Sequence, residues 1–141
     1  MGILLIWQDV FIGTGEVMDE AIRVLVVEDQ PIVREAITAE FDREIGFDVR
    51  HAGSLADARA FIGDVDIVIL DLGLPDGDGA SLIGELKSTS PMAKALVLTS
   101  SIDPADAERA LERGADAVLE KLADLDRVLA TVKHLLGRPS S

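Results

Sequence analysis

The chain of 141 residues has no cysteine and no tyrosine, and only 4% of it is aromatic. Without cysteine there is no disulfide framework, thiol nucleophile or cysteine-ligated metal, which fits a reducing cytoplasmic setting. With so few rings, the core has to be built from Val, Ile, Leu and Ala, a mixture suited to β-branched strands covered by Ala/Leu-rich helices. Basic residues are also scarce: 13 Lys and Arg stand against 26 Asp and Glu, for a formal charge of −13. A basic face that could neutralise phosphates is missing, so this chain is not expected to bind nucleic acid directly. No apolar run reaches the roughly 20 residues of a membrane span. No Lys or Arg precedes the apolar cluster Ile3 to Trp7, and Gln8 and Asp9 interrupt it early, which argues against a signal peptide. Ile6 stands where a myristoylation signal wants Ser or Thr, so no membrane attachment is expected.

What is present suits one domain with a single core. Residues 1–21 read as an N-terminal extension, 22–137 as the domain and 138–141 as a tail. Two readings of the extension stand: a disordered tail or a start placed too early, with Met18 as initiator, or a segment Leu4 to Trp7 that packs on this or a neighbouring subunit.

From Arg23 onward, strand and helix patterns alternate with about twenty residues from strand to strand, the rhythm of βα units and a parallel sheet. Strands are expected at Arg23 to Val27, Phe47 to Ala52, Ile67 to Leu70, Ala95 to Leu98 and Ala117 to Leu119. Pro31 opens a first helix whose face is Ile32, Val33, Ala36, Ile37, Glu40 and Phe41, with Gly46 as its stop. Ser54 caps a second helix carrying Leu55, Ala58, Phe61 and Ile62 and closed by Gly63. A loop dense in Gly, Pro and Asp leads to a third helix over Ala80 to Lys87. Asp103 and Pro104 start a fourth helix that Gly114 ends, and a fifth runs from Asp124 to Leu136.

Four of the apolar runs stop at side chains suited to phosphate chemistry: Glu28 and Asp29, Asp71, Thr99, and Lys121. In a parallel sheet the carboxyl ends of the strands share one edge, so these groups would converge in one pocket. Adjacent carboxylates facing a third would repel unless a cation sat among them, and a hard divalent ion such as magnesium accepts oxygen ligands while leaving room for phosphoryl oxygens. A carboxylate can itself attack phosphorus to give an aspartyl phosphate.

The segments RVLVVEDQP, VDIVILDLGLPDGDG and ALVLTSS, with the Lys of VLEKL, resemble in this order a receiver domain of a two-component response regulator. The resemblance covers Ile22 to Leu136 and implies an α/β, flavodoxin-like, doubly wound sheet of five parallel strands in order 2-1-3-4-5 with five helices. It implies that Asp71 is the phosphoacceptor and that Mg2+ is held by Asp29, Asp71 and the Gly73 carbonyl, with Glu28 acting through water. Thr99 and Lys121 would contact the phosphoryl group. The partner it implies is a sensor histidine kinase or phosphotransfer protein, and it leaves a homodimer open. The role is that of a regulatory phosphoacceptor assisting its own phosphorylation and dephosphorylation, rather than an enzyme turning over a substrate.

Two departures qualify the match. Val118 stands where receivers usually carry Tyr or Phe, so the switch is expected to work without an aromatic reporter or to be blunted. Leu122 rather than Pro follows Lys121, and LEKLADLDRVLATVKHLL resembles receivers that precede a helix-turn-helix domain. The chain is therefore expected to be either a stand-alone receiver or a piece of a longer regulator.

Blander accounts exist for single residues. Asp71 alone could be a turn former or helix cap, Thr99 a packed strand end and Lys121 a solvated cation. Asp76 to Gly79 lacks the alternating acids and distant Glu of a calcium loop, so turn chemistry is expected there. His51 and His134 should be surface residues, and Arg109, Arg113, Arg127, Lys133 and Arg138 solvated helix faces. A phosphatase of haloacid dehalogenase type would need a second Asp two residues after the nucleophile, where Gly73 stands. A receiver-like module that is never phosphorylated is disfavoured by the complete acid set.

Overall fold

In the computed structural model, residues 21–100, 103–121 and 124–137 are described, and the readings of Leu4 to Trp7, Met18, Leu122, Arg138 and the tail lie outside them. The elements alternate as β1 (Ile22–Val27), α1 (Pro31–Asp42), β2 (Phe47–Ala52), α2 (Leu55–Ala58), β3 (Ile67–Asp71), α3 (Gly79–Thr89), β4 (Lys94–Thr99), α4 (Pro104–Glu112), β5 (Ala117–Glu120) and α5 (Leu125–Leu135). All strand pairs are parallel, in the order β2-β1-β3-β4-β5.

Strand alternation divides the core. Leu25, Val27, Val68, Leu70 and Val97 face Leu55, Leu82, Ile83, Leu86 and Ala110 on one side of the sheet. Their neighbours Val24, Val26, Ile67, Ile69, Leu96 and Leu98 face Ile37, Phe41, Val128 and Val132 on the other. Hence α1 and α5 cover one face, and α2, α3 and α4 the other. The central strand β3 is buried along its whole length, as a strand covered on both faces must be.

The helix starts follow capping chemistry. Ser54, Asp78, Asp103 and Asp124 each accept a hydrogen bond from an amide of the turn they open, and Pro31 and Pro104 occupy first helical positions. At Gly114 the backbone turns left-handed (φ 111°) to end α4, and a Cβ there would also lie 3.3 Å from Lys87 Cγ.

Three local expectations are corrected. The second helix is regular only over Leu55–Ala58; beyond it, Phe61 donates to Ala58 and Asp64 to Phe61, both at 2.9 Å. The segment after α2 therefore continues as separate i→i+3 turns instead of a regular helix. On α1, Ile32 is 81% exposed and Ala36 is exposed. Val33, Ile37, Glu40 and Phe41 already form the inward stripe, and one residue further round the helix lies in solvent. Lys133 is buried rather than solvated, its ammonium paired with Glu44.

At the amino edge of the sheet, Asp66 accepts the Arg23 amide at 2.8 Å and its guanidinium at 3.1 Å. The guanidinium hydrogen bond, partly opposed by burial and helped by the amide, holds the Asp66 carboxyl below its ordinary 3.8. A depressed carboxylate stabilises the fold above the unfolded pKa and loses that contribution as pH falls through the folded one. Asp66→Asn is therefore expected to cost about 0.5–1 kcal/mol at neutral pH, a modest value because the pair is partly exposed. The gap to the parent should close in thermal melts once the pH drops below 3.8. A gap undiminished in strong acid would contradict this.

Candidate functional site

The register brings the chemistry-bearing residues to one edge. Val27 pairs with both Ala52 and Leu70, Asp71 with Leu98, and Thr99 with Glu120, so β1, β3, β4 and β5 end side by side. Each side chain then takes its place from the residue that follows or ends its strand.

Glu28, the first residue after β1, is only 1% exposed. Its amide donates to Ala52 at 3.0 Å and its Oε2 accepts the Gln30 amide at 3.1 Å. Asp29 beside it is exposed. Asp71 closes β3 and is 4% exposed. Its Oδ1 accepts the Gly73 amide at 2.9 Å, and its Oδ2 accepts Lys121 Nζ at 3.0 Å. The Lys121 amide donates to the Thr99 carbonyl at 2.6 Å, which ties the end of β5 to that of β4. Lys121 Nζ also reaches Glu28, 3.2 Å from Oε2 and 3.1 Å from Oε1. Only the Oε2 contact has hydrogen-bond geometry, so Glu28 Oε1 is buried without a hydrogen-bond partner. Thr99 is buried at the end of β4.

Oxygen atoms of Glu28, Asp29 and Asp71 all lie within 4.8 Å of one another. Three carboxylates against one ammonium leave two formal negative charges uncompensated. Burial pushes the Glu28 carboxyl above its usual range, with the Asp71 charge adding to it, while the Gln30 amide and Lys121 pull the other way. Burial would lower Lys121, but its hydrogen bonds to Asp71 and Glu28 outweigh that and raise it above 10.5. The ammonium therefore stays protonated. An all-oxygen donor set with surplus negative charge suits a hard divalent cation, and Glu28 Oε1, ion-paired with Lys121 but without a hydrogen bond, adds to that surplus. A cavity of about 380 Å³ opens over the cluster, lined by Asp29, Gln30, Val33, Asp71, Gly73, Ser100 and Lys121.

The six residues expected at the site, Glu28, Asp29, Asp71, Gly73, Thr99 and Lys121, are thus gathered at one end of the sheet. Gln30, Val33 and Ser100 line the same cavity and were not read from sequence as site residues. Gln30 and Ser100 signalled by position alone, each within three residues of an expected strand end, and Val33 was read only as part of the face of α1. Asp76, read as turn chemistry, accepts the amides of Leu55 at 3.0 Å and Ala56 at 3.2 Å and so ties the loop after Asp71 to the start of α2. Val118 is partly buried against the Leu-rich core rather than facing the cleft. His51 and His134 are exposed, as are Arg109, Arg113 and Arg127.

The comparisons with known proteins agree with this arrangement. The family model for the response regulator receiver domain matches residues 24–133. The transcriptional regulatory protein PhoP of Escherichia coli K12 is 35% identical over 120 residues, covering 84% of this chain and 53% of PhoP. The chain thus spans about half the length of the curated relatives it matches. A two-component response regulator of the LuxR family from Aurantimonas sp. SI85-9A1 superposes with a TM-score of 0.75 at 28% identity, covering 86% of this chain and 90% of that one. A response regulator from Burkholderia pseudomallei, solved with a phosphorylated aspartic acid, a calcium ion and citrate, gives 0.72 at 29% identity, covering 84% of this chain and 75% of that one. With its strand order, its acid cluster and these relatives in agreement, the chain belongs to the response regulator receiver domain family.

Proposed function

We propose that Asp71 accepts a phosphoryl group from a sensor histidine kinase or a phosphotransfer protein, and that this modification switches the partners of the chain. The observation that carries the reading is the convergence of Glu28, Asp29 and Asp71 within 4.8 Å, with Lys121 Nζ at 3.0 Å from Asp71 Oδ2. Asp29, Asp71 and the Gly73 carbonyl would hold Mg2+, with Glu28 reaching it through water. When bound, the ion supplies charge stabilisation to the phosphoryl oxygens. An Asp71 carboxylate oxygen forms the new P–O bond as the donor's P–N bond breaks, and the imidazole nitrogen leaves with its electron pair and takes up a proton. Lys121, already poised between Glu28 and Asp71, pairs with the phosphoryl charge, and the Thr99 hydroxyl donates to a second oxygen.

The added charge acts by shifting a pre-existing equilibrium of the loop after Thr99 and of the α4–β5 surface. A transcriptional output, through a separate domain, is the reading that the kinship with PhoP favours. We place the protein in the cytoplasm; among the described residues no helix is long and apolar enough to cross a membrane. The test is incubation with acetyl phosphate and Mg2+ followed by mapping of the acid-labile phosphoryl group by mass. Modification at Asp71 that disappears with a chelator is expected, and modification elsewhere would overturn the proposal.

Val118 adds a second expectation. With no ring at that position, coupling between phosphate and surface should be weaker than an aromatic would allow. Val118→Tyr is expected to change the effect of beryllofluoride on self-association or partner affinity by about 0.5–2 kcal/mol. Identical responses in sedimentation or binding assays would remove the idea.

A further inference from the structure

The Glu28 carbonyl stands where the sheet runs out of donors. On the β2 side the Glu28 amide still donates to Ala52 at 3.0 Å, but β2 ends at Ala52 and the chain turns into α2. A continuing parallel ladder would have sent an amide of β2 back to that carbonyl. Arg34, in the first turn of α1, takes its place, with Nη1 donating to the Glu28 carbonyl at 3.0 Å. Gly53 makes the room, since a Cβ there would lie 3.2 Å from Nη1. The Nε of the same guanidinium is buried with no hydrogen-bond partner, a costly state for a donor. An arginine serving only solubility would turn to water instead.

The consequence falls on the next residue. Fixing a carbonyl oxygen fixes its peptide plane, and the plane that begins at the Glu28 carbonyl ends at the Asp29 amide. Among the described residues no hydrogen bond or ion pair holds the Asp29 carboxylate, so the backbone that carries its Cβ is what sets where the side chain starts and which rotamers reach Asp71. We infer that Arg34 is a positioning residue for the cation site: by gripping the Glu28 carbonyl it aims Asp29 at the point it shares with Asp71. This rests on the reading that the cleft binds Mg2+.

The test is calorimetric titration of the full chain with Mg2+ alone, comparing the parent with Arg34→Met, Arg34→Lys and Asp29→Asn. Arg34→Met is expected to weaken Mg2+ binding about 3- to 10-fold, the effect of losing one hydrogen bond that orients a ligand. Arg34→Lys, which can still donate to the carbonyl, should recover most of that loss. Labelling of Arg34→Met by acetyl phosphate at saturating Mg2+ should stay within about twofold of the parent, as an effect on affinity rather than on the transfer step requires. Melting in chelator checks that each chain is folded, and Arg34→Gln, shorter and uncharged, replaces Arg34→Met if that variant is not. Unchanged affinity in Arg34→Met, or Lys no better than Met, overturns the role of Arg34 while leaving the receiver reading intact. If Asp29→Asn binds Mg2+ as tightly as the parent, the Mg2+ reading itself fails and this inference falls with it.

Discussion

Asp71→Asn is expected to reduce phosphoryl labelling of the chain by about 10³-fold or more, because the amide oxygen that replaces the carboxylate is a poor nucleophile. The substitution is nearly isosteric, so loss of labelling would not reflect loss of fold. An Asn oxygen can still accept the Gly73 amide, which now sits 2.9 Å from Oδ1. Its NH2 group would then face Lys121 Nζ, which sits 3.0 Å from Oδ2, leaving one donor unpaired. That mismatch is partly offset, since a carboxylate crowding Glu28 has been removed. Melting in chelator should therefore show a small change while labelling disappears. Labelling of Asp71→Asn at the parent's rate would refute the assignment of the acceptor.

Lys121→Met is expected to have the largest effect on stability. The Glu28 and Asp71 side chains are 2% and 5% exposed, and Lys121 is the cation that both share. Deleting one partner of a buried ion pair leaves uncompensated charge and costs about 3–5 kcal/mol. In chelator at neutral pH the variant should unfold at markedly lower denaturant than the parent. The pH dependence has a definite sign. Burial already raises the Glu28 pKa in the folded state, and losing Lys121 removes a contact that lowers it. A carboxyl raised on folding destabilises the native state at pH values above its folded pKa and ceases to do so as pH falls through the raised value toward the unfolded one. The deficit of the variant should thus shrink on mild acidification. Mg2+ should also narrow it, because an ion that binds only the folded state stabilises by mass action, about 2.7 kcal/mol at a hundred times its dissociation constant. A variant as stable as the parent in chelator, or one indifferent to Mg2+, would contradict the electrostatic account of the cleft.

How legible these features were depends on the range of the interaction behind them. Pro31, Ser54, Asp103 with Pro104, Asp124 and Gly114 act on their own helix ends, and each does what its type and position suggested. The second helix was overread because Leu55, Ala58 and Ile62 bury one side equally well in an α-helix or in successive i→i+3 turns. Apolar periodicity cannot separate the two. Ile32 was overread because a stripe of alternating width has no sharp border in sequence, whereas the covering sheet does. Lys133 looked solvated because its partner Glu44, just after α1, is distant in sequence and meets it only when α1 and α5 pack on the same face of the sheet. Arg34 carried no signal, and Asp76 signalled turn chemistry but not its partners. The first matters only because β2 stops one bond short of Glu28, and the second because its loop lies against amides of α2 that are 20 and 21 positions upstream.

The amino-acid order alone determined that the core would be aliphatic, that strands and helices would alternate, and which side chains would stand at strand ends. Those properties follow from composition, from residue spacing and from short-range capping, all of which act within a few positions of the chain. The neighbour order that sets β1 beside β3 was implied by the resemblance and not by local pattern, and only the tertiary structure decided the distances at which Glu28 and Asp29 meet Asp71 and that the carbonyl between the two acids is gripped by Arg34. Neighbour choice and register come from packing both faces of the sheet at once, with residues far apart in the chain competing for the same surface.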